Sequence, residues 1–186
     1  MFVEVRWHGR GGQGVVTASE LLAGAALAEG KYIQAFPEFG PERMGAPIRA
    51  FTRIADGPIE IHSHVYTPDV VVVLDPTLLG NPVITEGLSD EGKLIVNYSG
   101  TADEVRKITK FMGRIYVVDA TRIAMETIGR PIANTCCVGA LVKVTGLVNL
   151  EGVGNQIREA LEAKIGAKAT DANIQALKRA HEEVTS

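Results

Sequence analysis

The sequence has few cysteines, little aromatic content (5%) and no long apolar run. Its two cysteines, Cys136 and Cys137, are adjacent, and a disulfide between neighbours is strained and uncommon, so they provide no disulfide framework. We therefore expect free thiols in a reducing compartment. No apolar segment reaches the roughly 18 to 20 residues that cross a bilayer, the longest strand-like run being residues 70–74.

An excess of positive charge is also missing. The formal net charge is −3 and the isoelectric point is about 5.8, which argues against the nonspecific phosphate attraction of nucleic-acid binders. The amino terminus starts with an alternating segment, residues 2–7, and not with a basic stretch and a long apolar core, so a signal peptide is not expected. We expect a soluble cytoplasmic protein that binds neither nucleic acid nor membrane.

The length and composition fit one globular unit. With 186 residues, 46% of them hydrophobic and 22% charged, the chain can bury roughly 70% of its extended surface. We therefore expect a single domain that spans residues 1–186.

Strand-like and helix-like segments alternate along the chain, which predicts an α/β fold. Helices are expected at residues 14–29, 120–129, 135–147, 152–165 and 171–184, and strands at residues 2–7, 32–35, 48–54, 59–65, 70–74, 94–97 and 115–118. Asp56, Gly57 and Pro58 form a turn signal, so residues 48–54 and 59–65 are predicted to pair as a hairpin. We expect a three-layer domain with a mixed, mostly parallel sheet and this antiparallel hairpin inserted in it.

Three predicted strands end in a polar residue, namely Asp75, Asn97 and Asp119. Since the carboxyl ends of parallel strands face the ligand crevice of an open α/β sheet, these residues are candidates for the rim of a site. Alternatively, each of them caps the helix that follows it.

A glycine-rich segment follows the first strand and opens a helix. Gly9, Gly11 and Gly14 have the spacing of a dinucleotide-binding turn, which lets the backbone approach a pyrophosphate at a helix amino terminus. The acidic residue that would hold a ribose is not clearly present, because the second strand ends in Phe36 and Pro37 and Glu38 comes two residues late. A nicotinamide or flavin site is therefore disfavoured, and a tight turn with a purely structural role remains the alternative.

Two further segments carry polar residues in restrained settings. Pro41 and Pro47 stiffen a loop that presents Glu42 and Arg43, which favours recognition over a simple salt bridge between neighbours. Asn134 and Thr135 open an apolar helix. His62 and His64 share one face of a predicted strand, but no third ligand is adjacent, so no metal site is predicted.

These three segments, residues 9–15, 38–47 and 134–141, resemble the gamma subunit of 2-oxoacid:ferredoxin oxidoreductases, the pyruvate synthase group. The resemblance implies a complex that converts a 2-oxoacid, coenzyme A (CoA) and oxidised ferredoxin to acyl-CoA, CO₂ and reduced ferredoxin. Thiamine diphosphate, magnesium and iron–sulfur clusters are then held by the alpha, beta and delta partner subunits, of which delta is ferredoxin-like. The stretch Gly45-Ala46-Pro47 is more similar to the pyruvate and branched-chain enzymes than to the 2-oxoglutarate enzymes.

The resemblance leaves CoA binding and assembly of the complex to this chain, which has no catalytic residue of its own. The expected CoA contacts are Gly11, Gly12, Gln13, Gly14, Glu42, Arg43, Asn134 and Thr135, with Arg43 on a phosphate. A gamma subunit of the 2-oxoisovalerate enzyme is an alternative, and a free-standing nucleotide-binding enzyme is another. The latter would bind nicotinamide, flavin or ATP and turn over alone.

Overall fold

A computed structural model describes residues 1–38 and 44–186 of the chain. In these residues the strands are β1 (Phe2–Arg10), β2 (Tyr32–Pro37), β3 (Pro47–Ala55), β4 (Val70–Val73), β5 (Lys93–Asn97) and β6 (Arg114–Val118). The α-helices are α1 (Val15–Ala28), α2 (Ala102–Thr109), α3 (Ala120–Thr127), α4 (Asn134–Thr145), α5 (Leu150–Ile165) and α6 (Ala167–Glu183). Two short 3₁₀ turns, Pro76–Leu78 and Pro82–Ile84, follow β4.

The strands of the described residues form one mixed sheet in the order β2-β3-β1-β4-β5-β6. Strands β1, β4, β5 and β6 are parallel to one another, and β3 runs antiparallel to its two neighbours, β1 and β2. The α/β class, the mostly parallel sheet and the presence of an antiparallel hairpin are thus confirmed.

The predicted hairpin partner is wrong. Residues 59–65 form no strand, because both edges of β3 are already taken by β1 and β2. The antiparallel hairpin is therefore β2 and β3, paired from Tyr32 opposite Ala55 to Pro37 opposite Ala50. The backbone carbonyls of Ile61, Ser63 and His64 instead accept hydrogen bonds from the buried guanidinium of Arg53.

Apolar side chains form a core on each face of the sheet. The larger core lies under α1, α4, α5 and α6 and includes Trp7 and Ile54, both fully buried. Helix α4 is buried almost all round, as its uniformly apolar sequence predicts. The smaller core lies under α2 and the 3₁₀ turns. No helix of the described residues is long and apolar enough to cross a bilayer.

The polar residues at the strand ends act mainly as caps. Asp119 accepts a hydrogen bond from the backbone N–H of Arg122 at the start of α3. The Asn97 side chain ties β5 to its neighbours by donating to Leu74 O at 2.9 Å and accepting from the backbone N–H of Thr121 at 3.1 Å. The capping alternative is therefore correct for Asp119, whereas Asp75 both caps a 3₁₀ turn and joins the site described next.

Candidate functional site

The connection between β1 and α1 is a tight glycine turn, residues 11–14. Gly12 and Gly14 have φ values of 92° and 76°, a left-handed conformation that residues with a Cβ rarely adopt. The turn is also paired to the segment that leads into β3, because Gly11 N–H donates to Ala46 O at 2.9 Å and Gly45 N–H donates to Gly11 O at 3.1 Å. The backbone of the glycine turn is therefore fixed on both sides.

A cavity of about 510 Å³ opens at the amino terminus of α1. Its walls are formed by Gly11, Gly12, Gly14, Val15, Val16, Thr17, Met44 and Ile48. Gly14 is the N-cap, no side chain caps the helix, and no acidic residue lies in its first turn. The N–H groups of Val15, Val16 and Thr17 have no acceptor in the described part of the chain. They and the helix dipole give this end of the cavity a preference for anions.

Gln13 and Arg10 hold the turn against the end of β4. Gln13 Oε1 accepts from the Arg10 N–H at 2.7 Å, and Gln13 Nε2 donates to Asp75 Oδ2 at 2.8 Å. Arg10 Nε donates to the same Asp75 oxygen at 3.1 Å. Burial opposes ionisation of Asp75, but hydrogen bonds from Thr77 and Gln13 outweigh it and lower the pKa of this carboxyl. Both polar ends of the Gln13 side chain are thus engaged within the protein.

Asn134 and Thr135 begin α4 directly behind the turn. A Cβ on Gly14 would lie 2.4 Å from Asn134 Nδ2, so the start of α4 approaches the turn as closely as a glycine allows. Asn134 contacts the turn without being one of the residues that line the cavity. Thr135 is fully buried, and its hydroxyl donates to Asn173 Oδ1 of α6 at 3.3 Å. Its side chain therefore packs helices together and does not face the cavity.

Glu42 and Arg43 lie outside the described residues, so their predicted contacts stay predictions. The first described residue after them is Met44, which lines the cavity. A Cβ on Gly12 would come within 2.6 Å of Met44 Sδ. The Glu-Arg loop therefore ends at the cavity.

The structure disfavours dinucleotide binding. In a dinucleotide-binding fold the second strand lies next to the first, but here β3 separates β2 from β1. The end of β2 is consequently two strand spacings, about 10 Å, from β1, and it is level with Trp7, before the glycine turn begins. The Glu38 carboxylate moreover forms a bidentate ion pair with the Arg49 guanidinium.

The histidines and cysteines that the sequence offers do not form a metal site or a reactive thiol in the described residues. The described residues contain no group of three or more His, Cys, Asp or Glu side chains placed to hold a metal ion. Cys136 and Cys137 are free and fully buried. Burial raises the pKa of Cys136 to about 12 and that of Cys137 well above its usual value.

The site residues predicted from the sequence do not include a row of polar side chains on β1 and β3. Arg6 and His8 are 2% and 3% exposed, and Arg49 lies next to them on β3. The signal was present in the sequence, because residues two apart on a strand share one face. The sheet face opposite α1 is therefore polar at this point.

The chain is an α/β domain whose glycine turn frames a cavity at a helix amino terminus, an arrangement by which α/β domains bind anions. A family model for pyruvate ferredoxin/flavodoxin oxidoreductase matches residues 4–183. The chain belongs to this family.

Three relatives show the similarity in detail. Pyruvate synthase subunit PorC of Thermotoga maritima is 54% identical over 183 residues, which is 98% of this chain and 95% of the relative. The pyruvate/ketoisovalerate oxidoreductases common subunit gamma of Thermococcus kodakarensis is 52% identical, with 95% and 96% covered. The crystal structure of pyruvate oxidoreductase subunit PORC from Thermotoga maritima superposes with a TM-score of 0.89 at 51% identity and covers 99% and 97% of the two chains. The resemblance to gamma subunits found in the sequence is confirmed.

Proposed function

We propose that this chain is the gamma subunit of a multisubunit pyruvate:ferredoxin oxidoreductase. The complex converts pyruvate, CoA and oxidised ferredoxin to acetyl-CoA, CO₂ and reduced ferredoxin. Support comes from relatives that share about half of their residues with this chain over nearly its full length and are named as subunits of pyruvate synthase. Ketoisovalerate is a second candidate substrate, because a relative at 52% identity is named as the subunit common to pyruvate and ketoisovalerate oxidoreductases. One gamma subunit can therefore serve both oxoacids.

Within the complex, we propose that the chain binds the phosphate-rich end of CoA at the cavity beside the glycine turn. The observation that supports this proposal is that residues 15–17 line a cavity of about 510 Å³ at the start of α1, and that their N–H groups have no acceptor among the described residues. Free amides at a helix amino terminus bind phosphate oxygens without any cationic side chain. Arg43 adds a charge-assisted hydrogen bond to a phosphate, and Glu42 completes the same loop.

The roles of the other predicted contacts differ. Gly11, Gly12 and Gly14 let the ligand approach the backbone, while Gln13 holds the turn in shape through Arg10 and Asp75. Asn134 supports the turn from behind, and Thr135 positions α4 against α6. A cavity of this size holds part of CoA, so the rest of the molecule lies on a partner subunit.

The oxidation–reduction chemistry belongs to the partners. A four-iron cluster takes four cysteine thiolates, and this chain has two cysteines, both buried and both with a raised pKa. We assign thiamine diphosphate, magnesium and the iron–sulfur clusters to the alpha, beta and delta subunits, with ferredoxin as the acceptor. The cytoplasmic location stays a prediction.

Reconstitution tests this function. The purified chain alone should show no turnover, and adding it to the other subunits should restore CoA-dependent reduction of ferredoxin with pyruvate and with 2-oxoisovalerate. Turnover by the isolated chain with a nicotinamide, flavin or adenine nucleotide would support the free-standing enzyme instead. If the other subunits formed acyl-CoA equally well without this chain, the assignment would be wrong.

A further inference from the structure

The sheet face opposite α1 holds a second, separate pocket. There β1 and β3 are covered by chain segments around residues 64–66 and 83–86 and not by a helix. The pocket has a volume of about 260 Å³, and the residues that matter in its wall are Arg6, Arg49, Phe51, His64, Tyr66 and Glu86. None of these residues lines the cavity at the glycine turn, so the two sites can be tested independently.

Arg6 is a buried cation that has no carboxylate partner among the described residues. Its Nη2 donates to the backbone carbonyls of Val83, Ile84 and Glu86 at 3.2, 3.2 and 2.7 Å. Its Nη1 has no acceptor in residues 1–38 and 44–186, and no carboxylate there lies within 4.0 Å of its guanidinium. A buried charge is stable only when it is paired or bonded to compensating groups. The side chain is 2% exposed, yet no fully buried side-chain N or O atom of the described residues lacks a hydrogen-bond partner. Nη1 therefore keeps contact with the pocket, and no described carboxylate pairs with its charge.

The neighbouring groups do not supply a counter-charge. His8 Nε2 accepts from Arg6 Nε at 2.9 Å, so His8 is neutral and carries its proton on Nδ1. Arg49 adds a second positive charge, which is offset by its own ion pair with Glu38. Burial, and next the charge of Arg49, lower the pKa of Arg6 to about 10, while Glu86 and Glu38 act in the opposite direction more weakly.

We propose that this pocket binds a carboxylate group beside the Arg6 guanidinium. Nη1 is the guanidinium nitrogen that donates to no described residue, and a carboxylate oxygen can accept a charge-assisted hydrogen bond from it. The volume corresponds to about nine water molecules at roughly 30 Å³ each, which suits a short organic acid or the side chain of an aspartate or glutamate. The rings of Phe51 and His64, which stack with centroids 5.4 Å apart, provide a surface for the carbon part of such a ligand.

Thermal unfolding of the full chain tests the proposal. A ligand that binds only the folded state raises its stability by RT ln(1 + [L]/Kd). At about 100 mM sodium acetate and a Kd of about 10 mM, Tm should rise by roughly 3 to 5 °C over sodium chloride of the same ionic strength. Equal Tm values in acetate and chloride would overturn the proposal.

Two variants locate the effect. Arg6→Met should abolish the difference between acetate and chloride. Because Arg6 also holds residues 83–86, this variant can fail to fold. Arg49→Gln is therefore the second test. It should reduce the difference between acetate and chloride at least two-fold, because it leaves the Glu38 carboxylate unpaired near the pocket. Arg114→Gln, an exposed residue at the start of β6, is the matched control and should keep the full difference. An unchanged difference in the folded Arg6 or Arg49 variant would contradict the site.

The source of the carboxylate is decided in the assembled complex by amide exchange at residues 83–86. If acetate slows exchange there in the complex, the natural ligand is a free small acid. If exchange is already slow in the complex and acetate adds nothing, an acidic side chain of a partner subunit fills the pocket. If exchange is as fast as in the isolated chain and insensitive to acetate, the proposal is wrong.

Discussion

Replacing Gly14 by alanine tests the glycine turn most sharply. Gly14 has a φ of 76°, and an added Cβ would lie 2.4 Å from Asn134 Nδ2 and 3.0 Å from its Cγ. The left-handed backbone alone costs an alanine about 1 to 2 kcal/mol. Relief of the clash also requires the Asn134 amide to move away or the turn to shift from the start of α4, and a shift of the turn moves the N–H groups at the start of α1.

The expected effect on CoA follows from those N–H groups. Loss of one hydrogen bond to a charged phosphate costs about 1.5 to 3 kcal/mol, and each 1.4 kcal/mol is about a tenfold change in affinity. In the reconstituted complex, Gly14→Ala should therefore raise KM for CoA by about 10-fold to 100-fold. KM for the oxoacid should not change, because we propose that the oxoacid reacts on other subunits.

Gly30→Ala is the matched control at the other end of α1. Gly30 has a φ of 81°, and nothing lies within 4 Å of an added Cβ, so this variant has the backbone strain without the clash. Both variants should lower Tm by about 2 to 8 °C for the 1 to 2 kcal/mol of strain. Only Gly14→Ala should change KM for CoA, and an equal KM in the two variants would refute the proposed role of the turn.

Three further predictions concern single side chains. Arg43→Ala should raise KM for CoA by about one to two decades in steady-state assays, and an unchanged CoA dependence would remove its phosphate role. Burial, followed by the charge of Arg6, lowers the pKa of His8 to about 3, so the unfolded chain binds one more proton between about pH 3 and pH 6.5. The free energy of unfolding should thus fall by up to about 1.4 kcal/mol per pH unit as the pH drops through this window. Denaturation at several pH values tests this, and a His8→Gln variant whose free energy of unfolding depends on pH as steeply as that of the wild type would contradict it. Cys136 and Cys137 should resist iodoacetamide at pH 8 until the chain unfolds, because burial raises the pKa of both thiols. Mass spectrometry measures the alkylation, and alkylation of the folded chain would show that the thiols are accessible.

Local patterns in the sequence predict the elements well but not how they pair. The strand–glycine turn–helix unit is confirmed in β1 and α1, because its signals are all within about 30 residues. Residues 59–65 alternate like a strand, yet pairing depends on whether a neighbouring edge is free. Strand β3 has no free edge, and this follows from the global strand order, which no local pattern contains.

The same limit applies to the candidate site. The glycine spacing correctly predicts the turn at the start of α1, because glycine geometry is local, and a cavity lies beside this turn. Which way Gln13 and Thr135 point depends on distant partners, Asp75 and Asn173, and neither contact is visible in the sequence. In the sequence, Arg6 has the pattern of an ordinary exposed residue of an alternating strand. In the structure, residues 83–86 cover it, and the Glu86 carbonyl accepts a hydrogen bond from its guanidinium.

Amide hydrogen exchange with and without CoA tests the central claim most directly. In the assembled complex, CoA should slow exchange at residues 12–17, where the free N–H groups of the turn and of α1 meet the ligand. The peptide around Gly30 should not respond. Protection that appears only in partner subunits, with residues 12–17 unchanged, would show that CoA binds elsewhere.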